Sequence, residues 1–133
     1  MTIHEQSAEA RVGMTLKDFL EAQEAQPFEL LDGERMDKMP NVFGHTWYVR
    51  LLDSFALQHK LGEVFPESTY VQLADPDWVR GSRIPDLVFY VQERITAFRP
   101  EHPNWRRRPL SIAPDLTVEV VWLTERASDV TKK

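Results

Sequence analysis

Two stretches of this chain join a Pro-Asp pair to a run of β-branched and aromatic residues. The first covers residues 83–91 and contains Asp86, and the second covers residues 113–121 and contains Asp115 and Glu119. Such apolar runs predict buried strands, each with a carboxylate at or near one end. An ionised carboxylate among apolar neighbours loses much hydration unless a cation or hydrogen-bond donors replace the water. Asp86 and Glu119 are therefore the first candidates for a functional role.

Two explanations of the second strand stay open. Side chains alternate along a strand, so Asp115, Thr117 and Glu119 share one face. One explanation is an edge strand whose acidic side chains face water or pair with arginine. The other is a divalent-cation site, because Mg2+ takes carboxylate oxygens from adjacent strands together with several waters.

The same residues carry a resemblance to a known family. From Met14 to Lys133 the chain resembles the Uma-type restriction-endonuclease family, widespread in cyanobacteria and other bacteria, of the PD-(D/E)XK nuclease superfamily. The segments MTLKDFL (14–20), FELLDGE (28–34) and GEVF (62–65) resemble its opening helix, its first hairpin and the segment after its long helix. IPD (84–86) and PDLTVEV (114–120) resemble its two active-site strands.

The resemblance implies an activity and a set of site residues. It implies hydrolysis of phosphodiester bonds in DNA, with Mg2+ or Mn2+ held by Asp86 and Glu119. Glu29 or His45 would complete the coordination shell of the metal, although a single histidine at a helix start is more often a cap or a surface residue. By the family match, Lys133 is the catalytic lysine.

The chain departs from the pattern of the family in two places. Val121 stands where the superfamily has its lysine, and Trp122-Leu123-Thr124 replaces the usual Ser-Pro-Ser turn. The family also continues beyond the position of Lys133 through a helix and a strand. These departures favour a competing hypothesis, in which the chain is a non-catalytic, dimeric nucleic-acid-binding or structural module. An exposed sheet edge at this end leads us to expect a homodimer in either case.

Length and composition limit the number of domains and the kinds of site that the chain can contain. The 133 residues predict one domain, residues 14–133, preceded by a flexible polar arm, residues 1–13. The absence of cysteine excludes thiolate nucleophiles and cysteine-rich zinc sites. No signal-peptide pattern and no apolar run of membrane-spanning length occurs. We therefore expect a cytoplasmic bacterial protein without membrane contact.

A net charge of -5 argues against non-specific DNA binding by the whole surface. A local exception is the Pro-rich stretch from Arg99 to Arg108, which is predicted to be a loop. Arg106, Arg107 and Arg108 follow Trp105 there. They could contact the phosphates of a nucleic acid, with the tryptophan stacked on a base or a guanidinium. Pairing of these arginines with some of the 21 acidic residues is the other possibility.

Local signals predict the main elements. Thr15 with Asp18 has capping-box spacing and opens a helix that ends before Pro27. Asp32-Gly33 predicts a hairpin turn, and apolar spacing predicts a long helix over residues 43–61 with Gly62 as its C-cap. Short strands are expected at residues 64–65 and 69–73. With the resemblance, these elements predict an α/β fold, in which a mixed sheet of about five or six strands is flanked by helices.

Overall fold

The structure, a computed structural model, describes residues 11–38 and 43–120, with residues 43–45 described by their backbone only. These ranges form three helices and eight strands. In chain order they are β1 Met14–Thr15, α1 Leu16–Ala25, β2 Phe28–Leu31, β3 Glu34–Asp37, α2 Phe43–Gln58, β4 Gly62–Pro66, β5 Tyr70–Asp75, β6 Trp78–Arg83, β7 Leu87–Val91, α3 Gln92–Glu101 and β8 Leu116–Val118. Residues 1–10, most of the predicted arm, lie outside the described part of the chain.

The described strands divide between two sheets. The five-stranded sheet has the order β1-β6-β2-β3, with β5 also paired to β6, and the three-stranded sheet has the order β4-β7-β8. Every ladder is antiparallel, and an isolated bridge between Tyr70 and Leu110 is parallel. The predicted α/β class is confirmed, and the strands of the described residues form two antiparallel sheets where a single mixed sheet was expected. Pro66 lacks an N–H for further pairing and Glu67 has a φ of 41°, so the chain turns from one sheet to the other between β4 and β5.

The predicted hairpin is confirmed. Asp32 and Gly33 both have positive φ values, 50° and 84°, as the two central residues of a type I′ turn require. β2 and β3 pair in register from Leu31 opposite Glu34 to Phe28 opposite Asp37. The hairpin thereby fixes the positions of Glu29 in β2 and of the residue that follows β3.

The first helix begins where the capping pattern predicts. The Thr15 hydroxyl accepts a hydrogen bond from the Asp18 N–H at 3.1 Å. Phe19 on this helix is fully buried and its ring lies 5.2 Å from that of Phe28. Together with Leu30, Val71 and Val79 these rings form the core that joins α1 to the five-stranded sheet.

The long helix ends earlier than predicted. It runs from Phe43 to Gln58, and Lys60, with a φ of 53°, takes the left-handed position that we expected of Gly62. The N–H groups of Lys60 and Leu61 donate to the carbonyls of Leu57 and Ala56, which is the Schellman arrangement. Gly62 instead opens β4.

Three elements were not predicted from the sequence, namely the two-residue strand β1, strand β6 and helix α3. β6 follows the strand expected at residues 69–73, and its arginines, glycine and serine hide the strand pattern. It nevertheless pairs with β1, β2 and β5. Helix α3 covers Arg99 and the first part of the expected loop. Its residues Ile95 and Phe98 pack with Val88, Tyr90 and Leu110 in a second core beneath the three-stranded sheet.

Candidate active site

Asp86 lies at the entrance to β7 and is 4% exposed. Its Oδ2 accepts a hydrogen bond from the Val120 N–H at 2.6 Å, and its Oδ1 lies 3.5 Å from the Lys38 ammonium nitrogen. Its main-chain carbonyl accepts from the Glu67 N–H. The Asp86 carboxylate therefore links the hairpin to the segment that follows β8.

Glu119 follows β8 by one residue and lies beside Asp86. Antiparallel pairing places Leu87 opposite Val118, so the residue before β7 and the residue after β8 come together at one end of the sheet. The Glu119 Oε2 lies 3.9 Å from the Lys38 Nζ. One ammonium group thus contacts both carboxylates that the sequence singled out.

Lys38 is the site residue that sequence reasoning missed. It immediately follows β3, and its N–H donates to the Pro27 carbonyl, which extends the pairing of the hairpin. Only 11% of its side chain is exposed. A possible signal is the alternation that puts Lys38 on the same face as Met36 and Glu34. That signal does not show which acids the lysine meets, because the contact with Asp86 spans 48 residues.

Glu29 is buried beneath the same region, with 2% exposure. Its Oε2 accepts a hydrogen bond from the Ile84 N–H at 2.9 Å, two residues before Asp86. Ser82, also 2% exposed, accepts from the Leu30 N–H. These contacts fix the turn between β6 and β7. Glu29 is therefore an anchor of the main chain that presents Asp86.

The pKa of Tyr70 depends on charged residues of this region. Burial raises the pKa of the Tyr70 hydroxyl, the positive charge of Arg83 opposes this, and the negative charges of Glu29 and Glu119 raise it further. The Tyr70 side chain is half-buried at the start of β5.

Asp115 fits the edge-strand explanation. Its Oδ2 accepts from the Val91 N–H at 2.8 Å, and its Oδ1 pairs with Arg94 at 2.9 Å. In the described part of the chain β8 is the last strand of its sheet, and Leu116 is 53% exposed. The prediction of a buried strand is confirmed for β7 but wrong for β8, because no described strand covers its outer edge.

The basic stretch lies around the half-buried Trp105. The guanidinium carbons of Arg99 and Arg106 lie 4.5 and 5.1 Å from the centre of a Trp105 ring. Arg99 also pairs with Glu63. Arg106, Arg107 and Arg108 line a cavity of about 410 Å³, and no carboxylate in the described ranges forms an ion pair with these three.

Two predicted site residues belong to the part of the chain that the structure does not describe. The His45 side chain and Lys133 lie outside the described residues, as do Trp122, Leu123 and Thr124. Within residues 11–38 and 43–120, no group of three or more His, Cys, Asp or Glu side chains is arranged to hold a metal ion. The carboxylates of Asp86 and Glu119 nevertheless suit Mg2+, which proteins commonly bind through one or two carboxylates and several waters.

Comparison with known proteins assigns the family. A family model described as "Putative restriction endonuclease" (Uma2) matches residues 16–133. The chain belongs to the Uma2 family. The predicted resemblance to this family is therefore confirmed.

A solved structure supports the fold of this Uma2 member. The crystal structure of a "putative nuclease" from Anabaena variabilis superposes with a TM-score of 0.60 at 22% sequence identity. The match covers 90% of this chain and 64% of that nuclease, so the chain spans about two-thirds of its length. No curated protein matches the chain. None of the helices described here is both long enough and apolar enough to cross a bilayer.

The anchoring of Asp115 predicts a pH dependence of stability. The Val91 N–H donor, followed by Arg94, lowers the pKa of the Asp115 carboxyl below its usual value, against the opposing effect of burial. A lowered folded pKa gives stabilisation that is complete above the unfolded pKa of about 4 and is lost as the pH falls through the folded value. The difference in Tm between the wild type and Asp115→Asn should therefore be largest near neutral pH and shrink below about pH 4.

Thermal melts across this pH range test the prediction. Asp53→Asn is the control, because Asp53 is an exposed carboxylate on α2. A Tm difference for Asp115→Asn that stays constant from neutral to acidic pH would contradict the assignment.

Proposed function

We propose that this chain is a metal-dependent endonuclease of the PD-(D/E)XK type, which hydrolyses phosphodiester bonds in DNA in the bacterial cytoplasm. Its metal ligands are Asp86 and Glu119, and its ion is Mg2+ or Mn2+. The observation that carries the proposal is the meeting of these two carboxylates at a single ammonium group, in a member of the Uma2 family.

The buried contacts of the site support the roles of its residues. The Val120 N–H donates to Oδ2 of Asp86, and so holds the carboxylate in one orientation. Glu29 holds the preceding turn and either stays an anchor or completes the shell. When bound, Mg2+ supplies a water of lowered pKa as the nucleophile. We propose that His45 helps to complete the coordination shell of the metal. Lys133 is proposed to orient the nucleophile or to offset charge on the phosphate.

A second candidate function rests on a specific contact. Lys38 already supplies a positive charge to Asp86 and Glu119. This arrangement is expected if the two carboxylates form a shielded ion pair with the lysine and hold no metal. The chain would then be a non-catalytic nucleic-acid-binding or structural module. Metal binding distinguishes the two functions, because only the nuclease requires it.

Glu119→Gln tests the metal site while it keeps the shape of the side chain. Removal of one carboxylate should weaken Mn2+ binding by about tenfold or more and abolish Mn2+-dependent cleavage of plasmid DNA. The measurements are calorimetric titration with Mn2+ and a cleavage assay on plasmid, single-stranded DNA and RNA. Mn2+ should also raise the Tm of the wild type, since binding to the native state alone stabilises it.

Glu93→Gln is the matched control, because Glu93 is an exposed acid in the first turn of α3. Unchanged Mn2+ affinity and cleavage in Glu119→Gln would refute the metal site. Lys133→Ala addresses the catalytic lysine separately: it should slow cleavage without changing Mn2+ affinity.

The basic stretch provides a proposed contact for DNA. Arg106, Arg107 and Arg108 lie in exposed positions next to Trp105, and the stretch is anchored to β5 by hydrogen bonds between Leu110 and residues 69 and 71. Arginines on a fixed loop are suited to contact phosphates, and Trp105 offers an aromatic face beside them. The overall negative charge restricts such binding to local surfaces.

The salt dependence of DNA binding tests this surface. Replacement of all three arginines by glutamine should reduce the slope of log K against log salt by about 0.9 for each phosphate that the variant no longer neutralises. Fluorescence polarisation with labelled duplex DNA in EDTA gives the slope. Arg80→Gln, an exposed arginine on β6, is the control. A slope equal to that of the wild type would exclude the three arginines as phosphate-binding residues.

The predicted homodimer has a candidate surface on α2. Trp47, Tyr48, Leu51 and Phe55 are each about half exposed among the residues described here, and exposed apolar surface of this kind marks interaction sites. We propose that a second copy packs on this helix. Sedimentation should show a dimer at micromolar concentration that Leu51→Lys dissociates and Lys60→Gln does not. A wild-type monomer would contradict the proposal.

A further inference from the structure

The Lys38 side chain reaches both candidate metal ligands. Its Nζ lies 3.5 Å from Asp86 Oδ1 and 3.9 Å from Glu119 Oε2. These distances are long for charge-assisted hydrogen bonds, which are typically about 2.8 Å. The ammonium therefore lies between the two carboxylates rather than bonded closely to either.

The surroundings keep the lysine in this position. Its main-chain N–H is bonded to Pro27, and only 11% of its side chain is exposed. The Asp86 side chain is 6% exposed and that of Glu119 is 22% exposed. Two shielded carboxylates at close range repel each other and require a compensating positive charge. Lys38 provides this charge from within the chain.

We propose that Lys38 is a built-in counter-ion of the carboxylate pair and competes with the divalent cation for it. The inference rests on the proposed metal site at Asp86 and Glu119. A divalent ion and an ammonium group repel each other at such short range, most strongly where water is scarce. Binding of Mg2+ or Mn2+ therefore moves the ammonium out towards solvent, and Lys38 sets the metal concentration at which the site fills.

The Lys38→Met variant tests whether Lys38 competes with the divalent cation for the two carboxylates or instead supports its binding. Methionine keeps an unbranched apolar chain and removes the charge, so Mn2+ affinity should rise by about tenfold. Lys38→Arg keeps the charge and should stay close to the wild type. Lys60→Met is the matched control at an exposed lysine. Calorimetric titration of the whole chain with Mn2+, without nucleic acid, measures the affinities.

Each outcome of the titration decides the inference. Tighter binding by Lys38→Met than by the wild type supports it, including the case in which only the variant binds measurably. Equal or weaker binding by a folded variant overturns it while the proposed metal site stands. Absence of Mn2+ binding by both proteins overturns the inference and the proposed function together.

A measurement on the wild type covers the case in which Lys38→Met does not fold. Amine acylation followed by mass spectrometry reports how accessible each lysine is. Saturating Mg2+ should raise the acylation rate of Lys38 several-fold relative to EDTA, while the exposed Lys17 and Lys60 keep their rates. An unchanged rate at Lys38, with Mg2+ bound, would show that the ammonium stays in place and that the inference is wrong.

Discussion

The burial of the Asp86 carboxylate is the constraint on which this site depends. A carboxylate with 4% exposure has to regain from the protein the interactions that it loses with water. Among the described residues, the Val120 N–H and the Lys38 ammonium supply part of these interactions, and the two groups come from different parts of the chain. The hydrogen bond and the ion pair of this one carboxylate therefore join the hairpin, the entrance to β7 and the segment after β8. They also bring Glu119 into the same place.

Local chemistry made part of this structure predictable. The Thr15 cap, the Asp32-Gly33 turn and the apolar run of β7 each depend on residues within a few positions of one another, so the sequence alone indicates them. Asp86 and Glu119 could be singled out for a similar reason, since each interrupts or opens an apolar run. The family resemblance then supplied the expected chemistry.

The remaining features depend on contacts that no local pattern contains. β6 is polar in sequence and becomes a strand because it pairs with three others. The division into two sheets follows from a turn at Glu67, a residue with no turn preference of the kind that glycine has. Lys38 meets Asp86 across 48 residues. The family match assigned the catalytic lysine to Lys133, which lies outside the described residues. Within them, the ammonium that contacts both carboxylates belongs to Lys38.

A diffraction experiment tests the central proposal, that Asp86 and Glu119 hold a divalent cation, most directly. Crystals of the whole chain grown with Mn2+ would be measured at the manganese absorption edge, and an anomalous difference map would locate the ion. The account predicts a peak within coordination distance of oxygens of both Asp86 and Glu119, with the Lys38 ammonium displaced from between them. A Mn2+ peak elsewhere, or no peak at saturating Mn2+ with Lys38 still between the carboxylates, would contradict it.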